Sequence, residues 1–326
     1  MKRNDKAIGL QDLVEGFLFS LQAEGRTCLT YKYYDGLLRH FLWFAKDQSW
    51  PDQTDLLDTR RIRQFLAWVG SRHFEYTAGN GSRKCVKAKP STAWRYYRAV
   101  RRLFNFAVEE GLLEKSPVKD IHFKPPPPPL IQPYSIEELK RFLAVCELDI
   151  RTGTPFIGLR NKAVLLLFVD TALRSNELAQ LGLTDLSLEQ KWVRVIGKGN
   201  KVGICPFSAK TAKALWAYLI ERKRRAKCEA LWVTEEGRPF TVDGLSSFFA
   251  RLKKRAAVNS PGRMHRLRHA SALQYLRATH DTFLLQLFLR HEDLTMSRRY
   301  TQGLKQEEAI EAHRNGASPV EGLGLG

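Results

Sequence analysis

Near its C-terminus the chain reads Met264-His265-Arg266-Leu267-Arg268-His269, then Leu289-Arg290-His291, then Tyr300. A further arginine lies far upstream, in Ala172-Leu173-Arg174-Ser175-Asn176-Glu177-Leu178. A guanidinium is a planar, permanently charged fork of donors that matches two phosphate oxygens at once. Arg174 and Arg268 together can hold the two free oxygens of a phosphodiester and stabilise the charge that builds on a five-coordinate phosphorus. A tyrosine hydroxyl can attack that phosphorus. A phenol has a pKa of about 10, however, and needs help to lose its proton at neutral pH. Such a set could break a phosphodiester with arginine where other enzymes use a metal ion.

Each residue also has a plainer reading. Glu177 follows Arg174 by three positions and would pair with it in one helical turn. That pairing is compatible with phosphate binding. An isolated tyrosine more often anchors a C-terminal helix. Tyr218 and Tyr275 offer the same chemistry as Tyr300, but neither follows a Leu-x-His box. Lys198 sits in Gly197-Lys198-Gly199-Asn200, where turn lysines are usually just solvated, and Lys201 is its near competitor. His265 and His291 would otherwise be metal ligands or satisfied core histidines. No tight carboxylate or cysteine set surrounds them, so neither a metal nor a cofactor is expected.

These side chains need a scaffold, and the apolar spacing supplies one. Leu10, Leu13, Val14, Phe17, Leu18 and Leu21 recur at helical spacing, as do Tyr34, Leu37, Leu38, Phe41, Leu42 and Ala45. Ile62, Phe65, Leu66 and Val69 predict a third helix, and 91–110 a fourth that Gly111 ends. A loop rich in Gly, Ser and Lys is expected between them, from Ala78 to Pro90. Five prolines, Pro125 to Pro129, can join neither a helix nor a central strand and predict an extended spacer. Beyond it, Ser135-Ile136-Glu137-Glu138 reads as a capping box. Helices are expected over 161–171, 211–225 and 242–257, and after Gly262. Trp192 to Ile196 and Lys201 to Phe207 predict a hairpin about the Gly-Lys-Gly turn. The expected architecture is mainly α with a small antiparallel β-sheet. It divides into an N-terminal helical bundle over 1–122, a proline-rich linker over 123–134, an α+β domain over 135–315 and a flexible tail over 316–326.

The formal net charge is +19 over 326 residues, which favours a polyanionic partner. Within the fourth helix Arg95, Arg98 and Arg102 share one face, with Arg101 beside them. Lys84, Lys87 and Lys89 precede it. Such clusters release counterions on meeting phosphate, so these residues are expected to contact a nucleic acid backbone. A merely solvated basic face is the alternative. The five cysteines are scattered and odd in number, without a Cys-x-x-Cys pair, which argues against disulfides and zinc and fits a reducing cytoplasm. The longest apolar run, Ala163 to Val169, is far too short to cross a bilayer and suits a buried helix, so no membrane partner is expected.

The Arg-x-x-Glu box, the Gly-Lys-Gly hairpin, the His-x-Leu-Arg-His box, the Leu-x-His box and a tyrosine nine residues beyond it occur in one order. In that order the region after the linker resembles the tyrosine recombinase, or phage-integrase-like, family. The first domain resembles the SAM-like core-binding domain of the family's Xer-like branch. The resemblance implies site-specific cutting and rejoining of double-stranded DNA through a 3′-phosphotyrosyl intermediate and a Holliday junction. It implies a homo-tetramer on DNA, with or without a second recombinase. It makes Tyr300 the nucleophile, Lys198 the general acid for the leaving 5′ oxygen, His265 a proton-transfer residue and His291 a donor to a non-bridging oxygen. Glu177 and His269 become supporting residues, and Lys201 a DNA contact. The rivals are a type IB topoisomerase-like enzyme and a decayed integrase that binds DNA without cutting it. Three positions depart from the pattern. Arg290 and Ala172 stand where glycine is usual, and Lys201-Val202-Gly203 stands where a charged pair ending in arginine is common.

Overall fold

The computed structural model describes residues 8–77, 83–127, 132–197 and 201–292, with Ser297 and Tyr300. Among the expected features, Lys198, residues 128–131 of the linker and the tail at 316–326 lie outside the described residues. Two compact units divide the chain, Met1–Pro128 and Pro129–Gly326.

The first unit is built on α1 (Leu10–Ala23), α2 (Cys28–Asp47), α3 (Thr59–Ser71) and α4 (Pro90–Glu109). The periodic apolar residues face a single core. Phe41 sits at its centre, edge-on to Phe65 at 4.9 Å and to Phe104 at 6.2 Å, contacts worth about 0.5–1.5 kcal/mol each beyond burial. Local chemistry sets the helix starts. The Thr27 side chain accepts from Thr30 N at 3.3 Å, and Asp58 accepts from Arg61 N at 2.8 Å. Pro90 opens α4, where its missing N–H costs nothing. Within the loop expected over 78–90, residues 83–87 instead form β2 (Arg83–Lys87), which pairs with β1 (His73–Thr77) just before it, His73 opposite Lys87 and Thr77 opposite Arg83. Ladder hydrogen bonds override the low strand preference of the charged residues in β2.

The second unit holds α5 (Ile136–Arg151), α6 (Pro155–Thr171), α7 (Ser175–Gln180), α8 (Ala209–Lys223), α9 (Val242–Arg255), α10 (His265–Thr279) and α11 (Thr282–Leu289). Ser135 and Glu138 cap α5 reciprocally: Glu138 N donates to Ser135 Oγ at 3.2 Å, and Ser135 N to Glu138 Oε at 2.8 Å. Helix α6 begins six residues earlier than expected, because Pro155 at its first turn suits a helix start. It packs against α5, α8 and α10 and carries buried Ala163, Val164, Leu167 and Phe168. The sheet has the order β3-β4-β5, all antiparallel, from β3 (Leu186–Ser187), β4 (Trp192–Ile196) and β5 (Val202–Pro206). The hairpin of β4 and β5 lies where the sequence put it, while β3 is too short to leave a pattern. No helix among the described residues is long and apolar enough to cross a membrane.

Candidate active site

Three helix ends meet in the second unit. Helix α6 stops at Ala172, whose left-handed backbone (φ 48°) turns the chain so that Arg174 directly precedes α7. Helix α7 is held from behind, where Trp232 Nε1 donates to the Leu178 carbonyl at 2.9 Å and Leu231 N to the Leu181 carbonyl at 2.7 Å. Helix α10 opens at His265, and its first turns carry Arg268 and His269. That start is pinned by Arg266, which donates to the carbonyl of Pro133 at 2.8 Å and lies 4.4 Å over the Tyr134 ring. Helix α11 ends in a second left-handed residue, Arg290 (φ 54°), and His291 follows.

Arg268 is buried, only 2% exposed. It donates to the carbonyls of Ala172 and, at 2.7 Å, Leu289. The terminal carbonyls of two helices, which lack intrahelical donors, are thereby satisfied by one guanidinium. Burial lowers its pKa to about 10, helped by the charges of Arg174 and Arg290, so it remains a cation at neutral pH. Its second nitrogen also donates to His291 Nε2 at 3.2 Å. His291 Nδ1 therefore carries the proton and donates to Ser297 Oγ at 2.9 Å. Burial, then Arg268, Arg174, Arg290 and His265, hold the His291 pKa down to about 4. Burial, Arg268 and Arg174 also lower that of His265.

Arg174 is half-exposed and donates to Glu177 Oε1 at 2.8 Å. Glu177 Oε2 accepts from Arg174 N and from Arg290, both at 2.8 Å. Burial works to raise the Glu177 pKa. The Arg174 N–H and the two guanidiniums outweigh it and hold the carboxyl below its ordinary range. Tyr300 is buried, 4% exposed, against Ala172, Ala272, Leu276, Leu285 and Leu289. Its hydroxyl lies 2.8 Å from His269 Nδ1. One turn back along α10, the His265 ring sits edge-on to His269 at 4.8 Å.

The fold thus gathers Arg174, Glu177, His265, Arg268, His269, His291 and Tyr300 from four separate stretches. Arg174, Glu177, Arg290 and His291 line an open cleft of about 430 Å³ with Lys201 on its rim. Lys201 is exposed and lies 3.6 Å from Glu292. Two features escape sequence reasoning: the hydrogen bond between His269 and Tyr300, and the arrival of Arg290 at Glu177. Only the departure from glycine at Arg290 marked the second. In the first unit Arg95, Arg98, Lys87 and Lys89 are exposed, and Tyr33 on α2 lies within electrostatic reach of Arg95 and Arg98. Arg102 is 3.5 Å from Glu109. The side chain of Lys84 lies outside those described. Among the described residues, no three His, Cys, Asp or Glu side chains form a metal-binding group.

Known proteins resemble this chain in sequence and fold. Residues 135–307 match the phage integrase family. The tyrosine recombinase XerC of Shewanella oneidensis is 31% identical over 253 residues, which is 77% of this chain and 76% of that protein. The tyrosine recombinase XerD of Listeria innocua is 26% identical over 302 residues, 91% of this chain and 95% of that one. The crystal structure of the XerH site-specific recombinase bound to palindromic difH substrate, a post-cleavage complex, superposes with a TM-score of 0.70 at 25% identity, covering 89% of this chain and 81% of that one. With the family matched across the second unit and a relative above 30% identity across most of both chains, this chain belongs to the phage integrase family. Within it, the chain is a Xer-like site-specific tyrosine recombinase, an enzyme that cuts DNA strands and rejoins them.

Proposed function

We propose that Tyr300 attacks a phosphodiester of duplex DNA gripped by Arg174 and Arg268. The bond from the phenolic oxygen to phosphorus forms as the bond from phosphorus to the 5′ oxygen breaks. The phenol proton passes to His269 Nδ1, and Lys198 supplies a proton to the departing 5′ oxygen. His291 and His265 assist at the phosphate. The product is a 3′-phosphotyrosyl link, which conserves the bond energy until a 5′-hydroxyl of a partner strand attacks it and restores the DNA. No nucleotide cofactor is needed for that exchange. Two rounds on two duplexes pass through a Holliday junction and call for four subunits, so the working assembly is a homo-tetramer, alone or with a second recombinase, acting in the cytoplasm. Arg95, Arg98, Arg102, Lys84, Lys87 and Lys89 of the first unit, and Lys201, bind the DNA backbone.

The observation that carries this reading is the 2.8 Å contact between Tyr300 and His269 on the same helix as Arg268. A base within hydrogen-bond reach of the nucleophile is what a phenol requires. His265, His291 and Arg268 are depressed by burial and then by neighbouring positive charge, and an anionic phosphate would relieve the second of these. The test uses duplexes randomised in sequence and nicked near the centre, which trap a covalent intermediate when the short 5′ fragment diffuses away. The native protein should form an adduct that survives denaturing gels, and sequencing the trapped DNA gives the site. Tyr300→Phe should form none while still shifting the selected duplex. An adduct that persists in Tyr300→Phe, or none with the native protein, ends the proposal.

A further inference from the structure

We infer that Arg290 is a positioning residue for strand cleavage, a second guanidinium that locks Glu177 so that Glu177 can aim Arg174, and that it owes its place to Gly203. The inference rests on the roles given above to Arg174 and Tyr300.

Glu177 is the only carboxylate that the described contacts place on Arg174, and its two oxygens are used differently. Oε1 takes the Arg174 guanidinium, while Oε2 takes the Arg174 N–H and Arg290. Remove Arg290 and Oε2 keeps a single backbone donor, about which the carboxylate can swing. Arg174 is the half-exposed member of the set, so its aim depends on that carboxylate. Arg290 is itself well fixed. Its other terminal nitrogen lies 2.9 Å from Cys205 Sγ on β5 and 3.4 Å from the Phe288 carbonyl. Its side chain is only 19% exposed.

The backbone beneath Arg290 is costly for a residue of its type. Its φ of 54° is a region that glycine adopts freely and that a long side chain enters under strain. Strain of this kind persists where the surrounding structure enforces it and function uses it. Gly203 supplies the space. A Cβ added there would stand 2.8 Å from Arg290 Cδ, and the Gly203 backbone is not left-handed, so a side chain at 203 would have to push the Arg290 side chain aside, and the glycine serves room and not conformation. The two departures seen in the sequence, an arginine at 290 and a glycine at 203, are therefore in contact. Arginine and glycine have exchanged places across the cleft, and the guanidinium that β5 lacks arrives from the end of α11.

Three variants test this: Arg290→Gly, Arg290→Lys, and the double variant Arg290→Gly with Gly203→Arg. With the nicked duplex selected by the native protein, Arg290→Gly should slow adduct formation on the order of 100-fold, as expected when a reacting group is misplaced by about 1 Å. Its melting temperature should hold or rise, because glycine relieves the left-handed strain. Arg290→Lys keeps a charge but not a fork and should also be slow. The double variant should be faster than Arg290→Gly. A readout without DNA follows the Arg174 Nε–H resonance by NMR, which should be sharp in the native protein and broadened in Arg290→Gly. If the native protein yields no adduct, the cleavage reading fails and the resonance alone decides Arg290. Native cleavage rates in Arg290→Gly overturn the inference, as does an unchanged Arg174 resonance. So does a loss of activity that tracks an equal loss of folded protein in both single variants.

Discussion

His291 shows how the site tunes single groups. It sits among Arg268, Arg174, Arg290 and His265, and its pKa falls to about 4 against about 6.5 in an open chain. Between those values the unfolded chain binds a proton that the folded one refuses. Stability therefore falls as pH drops from about 6.5 towards 4 and levels off below that for this group. Glu177, held below its ordinary range, acts in the same direction at lower pH. Urea titrations from pH 7 to pH 4 should show this slope, and His291→Gln should be flatter across the window. Equal slopes in the two proteins would contradict the depressed histidine. That Tyr300, the two arginines, His265 and His291 belong near one another was legible from residue type, spacing and family resemblance. The partner of the Tyr300 hydroxyl was not. His269 adjoins Arg268 in sequence and reads as support, and only the return of Tyr300 onto α10 places a phenol beside its Nδ1.

Among the elements, helices declared themselves best, because buried positions repeat every turn and the caps are chemical. Ser135 and Glu138 marked the start of α5 to the residue. The hairpin of β1 and β2 was concealed. His73-Phe74-Glu75-Tyr76-Thr77 alternates as a strand should, yet five residues are few, and Arg83-Lys84-Cys85-Val86-Lys87 looks like a solvated stretch. Pairing between strands, which no single strand encodes, decides it. Helix α4 offers a sharper measurement. Arg95 and Arg98 are exposed beside Tyr33, whereas Arg102 faces Glu109. On a random-sequence duplex, fluorescence anisotropy against salt should give a log-log line. Arg95→Ala and Arg98→Ala should each lower its slope by about 0.9, the release expected per phosphate contact. Arg102→Ala should change it less, since its charge is already partly answered. Three equal changes would mean the helix face does not sort its arginines this way.

Over the whole chain, the candidate chemistry falls in one of two units that each have their own core. Every candidate cleavage residue lies after the proline run, while the α4 arginines and Lys87 and Lys89 lie before it. Tyr300 is enclosed by Ala172, Leu276 and Leu289 of its own chain, with its hydroxyl on its own His269. This has a consequence for mixed populations. On the proposed mechanism, a polypeptide crippled at the phenol and another crippled at Arg268 should have nothing to lend each other, because hydroxyl and guanidinium are set within one fold. Blending the two inactive proteins should leave the nicked duplex intact at every ratio, and diluting the native enzyme with either should only thin out competent sites. In a cell, two differently broken copies should not complement each other.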